Sequence, residues 1–177
     1  QKNKIINAIK KLNNTLRITM SVQSLDSNVL ENVRRSNIST DHMLELYPAI
    51  KDANLETTSE VILGLPGDSY EGHLQTLRDL IRAKMDEVLV HTCIMFNGSE
   101  LGTPEERKKW NLKTKYRVIP KDFAILSNGR KAIETEEIVI ATDKMTFEEY
   151  VELRILAFVI FVTNVAVVYD ALRKFLL

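Results

Sequence analysis

At 177 residues, with 45% hydrophobic and 27% charged side chains, the chain can bury the core of one globular domain or part of a larger one. Lysine plus arginine equals aspartate plus glutamate at 24 each, which excludes the basic excess of a nucleic-acid-binding surface. The single cysteine, Cys93, excludes an internal disulfide and fits a reducing, cytoplasmic setting, and no charged and apolar export signal stands at the start.

Ile5, Ile9 and Leu12 recur at helical spacing and predict an amphipathic helix ending at Asn13-Asn14. Residues 16–23, L-R-I-T-M-S-V-Q, are β-branched and partly alternating, so they predict a first strand. Ser24, Asp26 and Ser27 are cap candidates for a short helix carrying Val29, Leu30 and Val33. Ser39 or Thr40 caps a further helix with Met43, Leu44, Tyr47 and Ile50, which Pro48 kinks or splits. Residues 57–65 predict the second strand. Within residues 60–71, E-V-I-L-G-L-P-G-D-S-Y-E joins that strand to a tight turn and a helix start. Asp68 or Ser69 is expected to cap a helix reaching about Met85, with Tyr70, Leu74, Leu77 and Ile81 on one face. Residues 87–96, E-V-L-V-H-T-C-I-M-F, predict a third strand whose nearly unbroken apolar run suits cover on both faces. Three strand–helix units in a row imply parallel pairing, in part of a barrel or in an open doubly wound sheet.

The pattern changes after Asn97. Gly98, Gly102 and Pro104 interrupt it, and residues 104–110 can form a short charged helix. Residues 116–126 and 131–142 predict two strands, with Asn128-Gly129 signalling a type I′ hairpin. Thr146 and Glu149 make a capping box for a long last helix. From residue 155 to 169 that helix is apolar except for Thr163 and Asn164, short of the roughly 20 residues of a membrane span. It therefore predicts a buried helix or one docked on a partner. Residues 1–97 and 98–177 form the expected domain and its extension. Gln1 opens directly into a helix pattern and Phe175-Leu176-Leu177 is an apolar end, so a segment of a longer protein is expected. Its bare sheet edges favour a homo-oligomer.

No motif performs chemistry unaided: G-x-S-x-G, H-E-x-x-H and G-K-S/T are all absent. His42 and His73 lie among polar neighbours on predicted helices and read as surface residues. His91, mid-strand beside Thr92 and Cys93, either faces a cavity or satisfies itself in the core, and the core is favoured. Cys93 alone makes no metal site and reads as a small buried hydrophobe. Strand ends are more informative, because in a parallel barrel they converge on one mouth. Ser21, Gln23 and Ser24 close the first strand, Glu60 lies in the second, and Asn97 and Ser99 follow the third. Gln23 can donate and accept, as a ribose hydroxyl or an amide requires. Arg35 could return a guanidinium fork to the same mouth, the shape that matches a carboxylate. The bland alternatives are a strand-end cap for Gln23 and a solvated helix end for Arg35.

With these positions in view, the chain resembles the second half of the radical S-adenosylmethionine (SAM) enzymes, across the fourth to sixth strands of their partial (β/α)6 barrel. S-V-Q-S-L-D-S-N-V-L-E-N-V-R-R at residues 21–35 looks like the fourth-strand segment of the oxygen-independent coproporphyrinogen oxidase branch. Residues 60–71 look like that branch's fifth-strand segment, which typically reads D-x-I-x-G-L-P-G-Q/E-T. F-N-G-S-E-L-G at 96–102 and E-E-I-V-I-A-T-D-K-M-T-F-E-E-Y at 136–150 are similar to radical SAM proteins that often carry a cobalamin-binding domain.

The resemblance implies an α/β fold: the C-terminal portion of a radical SAM partial TIM barrel, then a β-hairpin and a long helix. It implies S-adenosylmethionine, a 4Fe–4S cluster and, in the whole protein, cobalamin as cofactors, acting on a small-molecule substrate away from membranes. By the same resemblance Gln23 contacts the SAM ribose or methionine part and Arg35 pairs with the SAM carboxylate. Glu60 stands where the branch has an aspartate that accepts from ribose hydroxyls. Ile62 and Gly64 form the wall and close turn against adenine, and the backbone around Cys93 and Met95 meets the adenine edge. Neither the C-x-x-x-C-x-x-C that holds the cluster nor the Gly-Gly-Glu-type segment for the SAM amino group is present. The expected function is thus part of a SAM site in an enzyme that, when intact, cleaves SAM to a 5′-deoxyadenosyl radical. Two other readings stay open: an α/β barrel enzyme holding a phosphorylated metabolite at the 64–69 helix start, and a non-catalytic assembly module docking through its last helix.

Overall fold

The structure, a computed structural model, describes residues 2–11, 17–37, 50, 52–53 and 55–164. The predicted helix around Met43, Tyr47 and His42 lies outside the described residues, as does the stretch after residue 164. In chain order the elements are α1 (Lys2–Lys11), β1 (Ile18–Gln23), α2 (Ser27–Asn32), β2 (Thr57–Leu63), α3 (Tyr70–Arg82) and β3 (Glu87–Thr92). A 3-10 turn (Glu100–Gly102), α4 (Pro104–Lys109), β4 (Lys113–Ile125), β5 (Lys131–Ala141) and α5 (Phe147–Asn164) follow. Local chemistry explains the boundaries. Asp26 caps α2 by accepting from the amides of Asn28 and Val29. Thr103 caps α4, whose first residue is Pro104. The capping box forms before α5: Glu149 accepts from the Thr146 amide at 2.8 Å, and Thr146 Oγ1 accepts from the Glu149 amide at 3.2 Å.

β1, β2 and β3 make one parallel sheet in that order. Ser21 stands opposite Glu60, Glu60 opposite Leu89, and Ile62 opposite His91. Side chains alternate across a strand, so these residues share one face of the sheet. The other face carries Val22, Val61 and Val88, which pack with Leu77 and Leu80 of α3 and Ile160 of α5. Burying each such side chain contributes about 1.5–3 kcal/mol. Even Ser59 is fully buried there, its hydroxyl donating to the Met20 carbonyl at 2.8 Å.

This arrangement corrects two sequence expectations. Among the described residues β3 is covered by helices on one face only, because its second face carries Glu87 and His91 beside Leu89 rather than a continuous apolar surface. The buried stripe of α3 is His73, Thr76, Leu77 and Leu80, while Ile81 is exposed. The helix is rotated because Thr76 Oγ1 accepts from the Leu25 amide and His73 meets a buried carboxylate.

β4 and β5 form a long antiparallel hairpin, irregular between Val118 and Phe123. Its root joins the sheet just beyond β3. The Met95 amide donates to the Glu137 carbonyl at 2.8 Å and the Val139 amide to the Cys93 carbonyl at 2.9 Å, around the pair Ile94 and Ile138. Arg107 of α4 forks onto the Glu137 carboxylate at 2.6 and 2.7 Å and locks the root to α4. The turn is not the predicted type I′, which needs positive φ at two central residues; only Gly129 in this loop has it. Asn128 instead spends its side chain accepting from the Arg130 amide.

Candidate functional site

β1 does not end smoothly. The register slips between Ser21 and Gln23, and Gln23 adopts φ 60°, a left-handed conformation uncommon outside glycine. Bulges of this kind re-aim side chains at strand ends. Arg35 and Asn37 clamp the bulge. Arg35 Nη2 donates to the Ser21 carbonyl and its Nε to Asn37 Oδ1. Asn37 Nδ2 donates to the carbonyls of Val22 and Ser24 at 2.6 and 2.7 Å. The predicted guanidinium thus does return to the strand end, where it holds the β1 backbone.

Along the uncovered face, the Ser21 hydroxyl donates to Glu60 Oε2. His91 Nε2 lies 3.7 Å from Glu60 Oε1, and its side chain is 55% exposed. His91 is therefore not in the core, correcting the favoured expectation, because its register partner Ile62 places it on the polar face. Ser21, Glu60 and His91, from three adjacent strands, make a carboxylate flanked by a hydroxyl and an imidazole. The Ser21 hydroxyl donates to the carboxylate and not to the imidazole, so the trio does not have the serine–imidazole–carboxylate order of a hydrolytic triad.

The other predicted residues lie at the strand ends. Gly64 ends β2 at φ +88°, and a Cβ there would meet Val139 Cγ1 at 3.4 Å. Ile62, Cys93 and Met95 join Val29, Leu112 and Val139 in one apolar cluster. The Cys93 amide donates to the Leu63 carbonyl, so the backbone at Cys93 and Met95 knits β2, β3 and β5 together. Burial, then the nearby Asp68 carboxylate, push the Cys93 thiol up to about 12. Of the remaining strand-end candidates, Ser24 is buried and accepts from the Asp26 amide, Ser99 caps the 3-10 turn, and Asn97 is exposed.

One cluster escaped sequence reasoning. Ser69, not Asp68, caps α3. Asp68 turns inward, where its Oδ2 accepts from the Gly64 amide at 3.3 Å and faces His73 Nδ1 at 3.0 Å. Its carbonyl accepts from Thr142 Oγ1 at 3.1 Å. His73 is 2% exposed, so the expectation of a surface histidine is overturned; a carboxylate five residues upstream made burial tolerable. The spacing Asp68-x-x-x-x-His73 after a strand was the available signal, and it is weak.

Beside the turn, a groove of about 440 Å³ runs between Asn32, Arg34, Pro66, Glu100, Leu101 and Trp110. Arg34 is already forked onto Glu100 at 2.8 and 3.1 Å. Three glutamates line it against Arg34 and Lys109, a poor setting for a phosphate.

No family model matches the chain. Residue identity with curated proteins is more telling. The cobalamin-dependent radical SAM methyltransferase TokK of Streptomyces tokunonensis is 31% identical over 137 residues, 76% of this chain and 20% of that protein. The chain belongs to the radical SAM superfamily. The 2-(S-pantetheinyl)-carbapenam-3-carboxylate methyltransferase of Streptantibioticus cattleyicolor is 28% identical over the same share of both chains. The chain thus spans about a fifth of the length of these relatives. Among solved structures, archaeal Methanocaldococcus infernus Elp3 with an N-terminal deletion matches at 26% identity and TM-score 0.48, over 60% of this chain and 24% of that one.

The donor set decides which radical SAM cofactors these residues fit. An iron–sulfur cluster needs several thiolates, and the one thiol here is buried and strongly disposed to stay protonated. The chain does not fit a cluster. SAM asks for different groups, hydroxyl partners above all: Gln23 at the end of β1 and the half-exposed Glu60 carboxylate within β2 are of that chemistry, while the Arg35 guanidinium already donates to Asn37 and to the Ser21 carbonyl.

Proposed function

We propose that the chain supplies the adenosine-facing half of a SAM site in a cobalamin-dependent radical SAM enzyme. The observation that carries this is the held, part-exposed carboxylate on the second sheet face: the Ser21 hydroxyl donates to Glu60 Oε2, while Oε1 lies 3.7 Å from His91 Nε2, beyond hydrogen-bond reach. Glu60 accepts from a ribose hydroxyl. Gln23, re-aimed by the bulge, hydrogen-bonds the ribose or the methionine part. Arg35 pairs with the SAM carboxylate. Ile62 gives adenine an apolar neighbour, and Gly64 with the backbone at Cys93 and Met95 forms the wall of the site. Bound there, SAM supplies a sulfonium whose carbon–sulfur bonds are the reactive ones. The cluster and cobalamin would be held by residues other than these, and the substrate would be a small molecule. No helix among the described residues is long and apolar enough to cross a membrane, and the free Cys93 suits the cytoplasm.

The phosphorylated-metabolite reading is disfavoured at its own site, since Asp68 places a carboxylate at the start of α3. Titrating SAM into isotope-labelled protein tests the proposal. Amide shifts should concentrate on Gln23, Glu60 and Ile62. Shifts centred on Asn32 and Trp110 in the groove would contradict it.

A further inference from the structure

We propose that His91 is a positioning residue for Glu60, so that Ser21, Glu60 and His91 act as one unit offering a single carboxylate oxygen to a ligand hydroxyl. The inference rests on the SAM reading for its ligand, but the unit itself is defined by geometry. Glutamate is long, and on an uncovered sheet face a free carboxylate would sample many rotamers. Here both oxygens have a neighbour: the Ser21 hydroxyl on Oε2 and the His91 imidazole 3.7 Å from Oε1. The first contact is a hydrogen bond. The second is too long for one, so it orients the carboxylate without saturating Oε1. A carboxylate oxygen has two lone pairs, so Oε1 can accept a hydroxyl on the ligand side.

The flanking residues are themselves fixed. Arg35 donates to the Ser21 carbonyl. His91 sits on β3, where Arg154 Nη1 donates to the neighbouring Val90 carbonyl at 3.1 Å. That contact pins the edge strand carrying the imidazole. The guanidinium, the hydroxyl, the carboxylate and the imidazole therefore span β1 to β3 as a held row. A carboxylate held before binding loses less freedom when the ligand arrives. His91 contributes by direction, not by contact with reacting atoms.

Two measurements test this, one without any ligand. In protein carrying carboxyl-labelled glutamate, the Glu60 resonance is identified by its loss in Glu60→Gln. It should move in both His91→Gln and Ser21→Ala. A Glu60 resonance unmoved by His91→Gln overturns the proposal. In SAM titrations His91→Gln should weaken binding about threefold, and not at all when Glu60 is already Gln, because coupled residues are non-additive. Equal loss in both backgrounds also overturns it. If Glu60→Gln itself leaves SAM affinity unchanged while the resonance still moves in His91→Gln, the SAM reading fails and the positioning unit stands.

Discussion

The two faces of the parallel sheet are made by the same three strands yet obey different rules. On the covered face, Val61 and Val88 are almost wholly buried against α3 and α5, and polar side chains there are satisfied internally, as Ser59 is by Met20. On the other face Ser21, Glu60 and His91 hold one another while remaining open to solvent. The first face sets stability, and the second carries the proposed SAM contacts. Substitutions on the two should therefore separate stability from ligand affinity.

The largest effect is expected on the covered face. Leu80→Ala removes a fully buried side chain from that core and should cost about 2–5 kcal/mol in urea unfolding. Asp68→Ala leaves the Gly64 amide and His73 Nδ1 without their buried partner and should cost about 1–3 kcal/mol. Gly64→Ala forces a side chain onto φ +88°, for about 1–2 kcal/mol by the same assay. Glu137 probes the hairpin root by pH. The Arg107 hydrogen bonds hold its carboxyl down at about 2, below the ordinary glutamate value. A lowered carboxylate stabilises the folded state above its unfolded value and loses that effect as pH falls toward about 2. Acid titration of stability should thus flatten below pH ~4 in Glu137→Gln relative to the parent. On the uncovered face, Glu60→Gln should shift stability by less than about 0.5 kcal/mol, since the group is half-exposed. A loss near that of Leu80→Ala would erase the distinction between the faces.

Much of this organisation is legible in the sequence because it is local. Residues 60–71 announce a strand, a turn and a helix start, and T-F-E-E at 146–149 announces the cap that forms. The strands, their parallel order and the hairpin follow from periodicity and strand–helix alternation, although the hairpin turn is not of the type its Asn-Gly pair signals. Features set by partners far along the chain are not legible. His73 is buried because Asp68 turns inward, and Asp68 is held partly by Thr142, 74 residues away. His91 looked like core because valines and leucines surround it; only the pairing with Ile62 shows which face it takes. Gly64 matched the site motif, and what its bare Cα admits here is Val139 of the hairpin, a contact no local pattern encodes. Gln23 and Glu60 stand out in the sequence by residue type and strand position, and their proposed roles come from the resemblance, whereas the clamp of Arg35 and Asn37 on the bulge is set by contacts no local pattern encodes.

The most direct test of the central claim is the SAM affinity of Glu60→Gln beside its unfolding free energy. Loss of a charged acceptor for a ribose hydroxyl should weaken binding about tenfold while leaving stability within about 0.5 kcal/mol of the parent. Unchanged affinity at unchanged stability would contradict the assignment of the uncovered face to SAM.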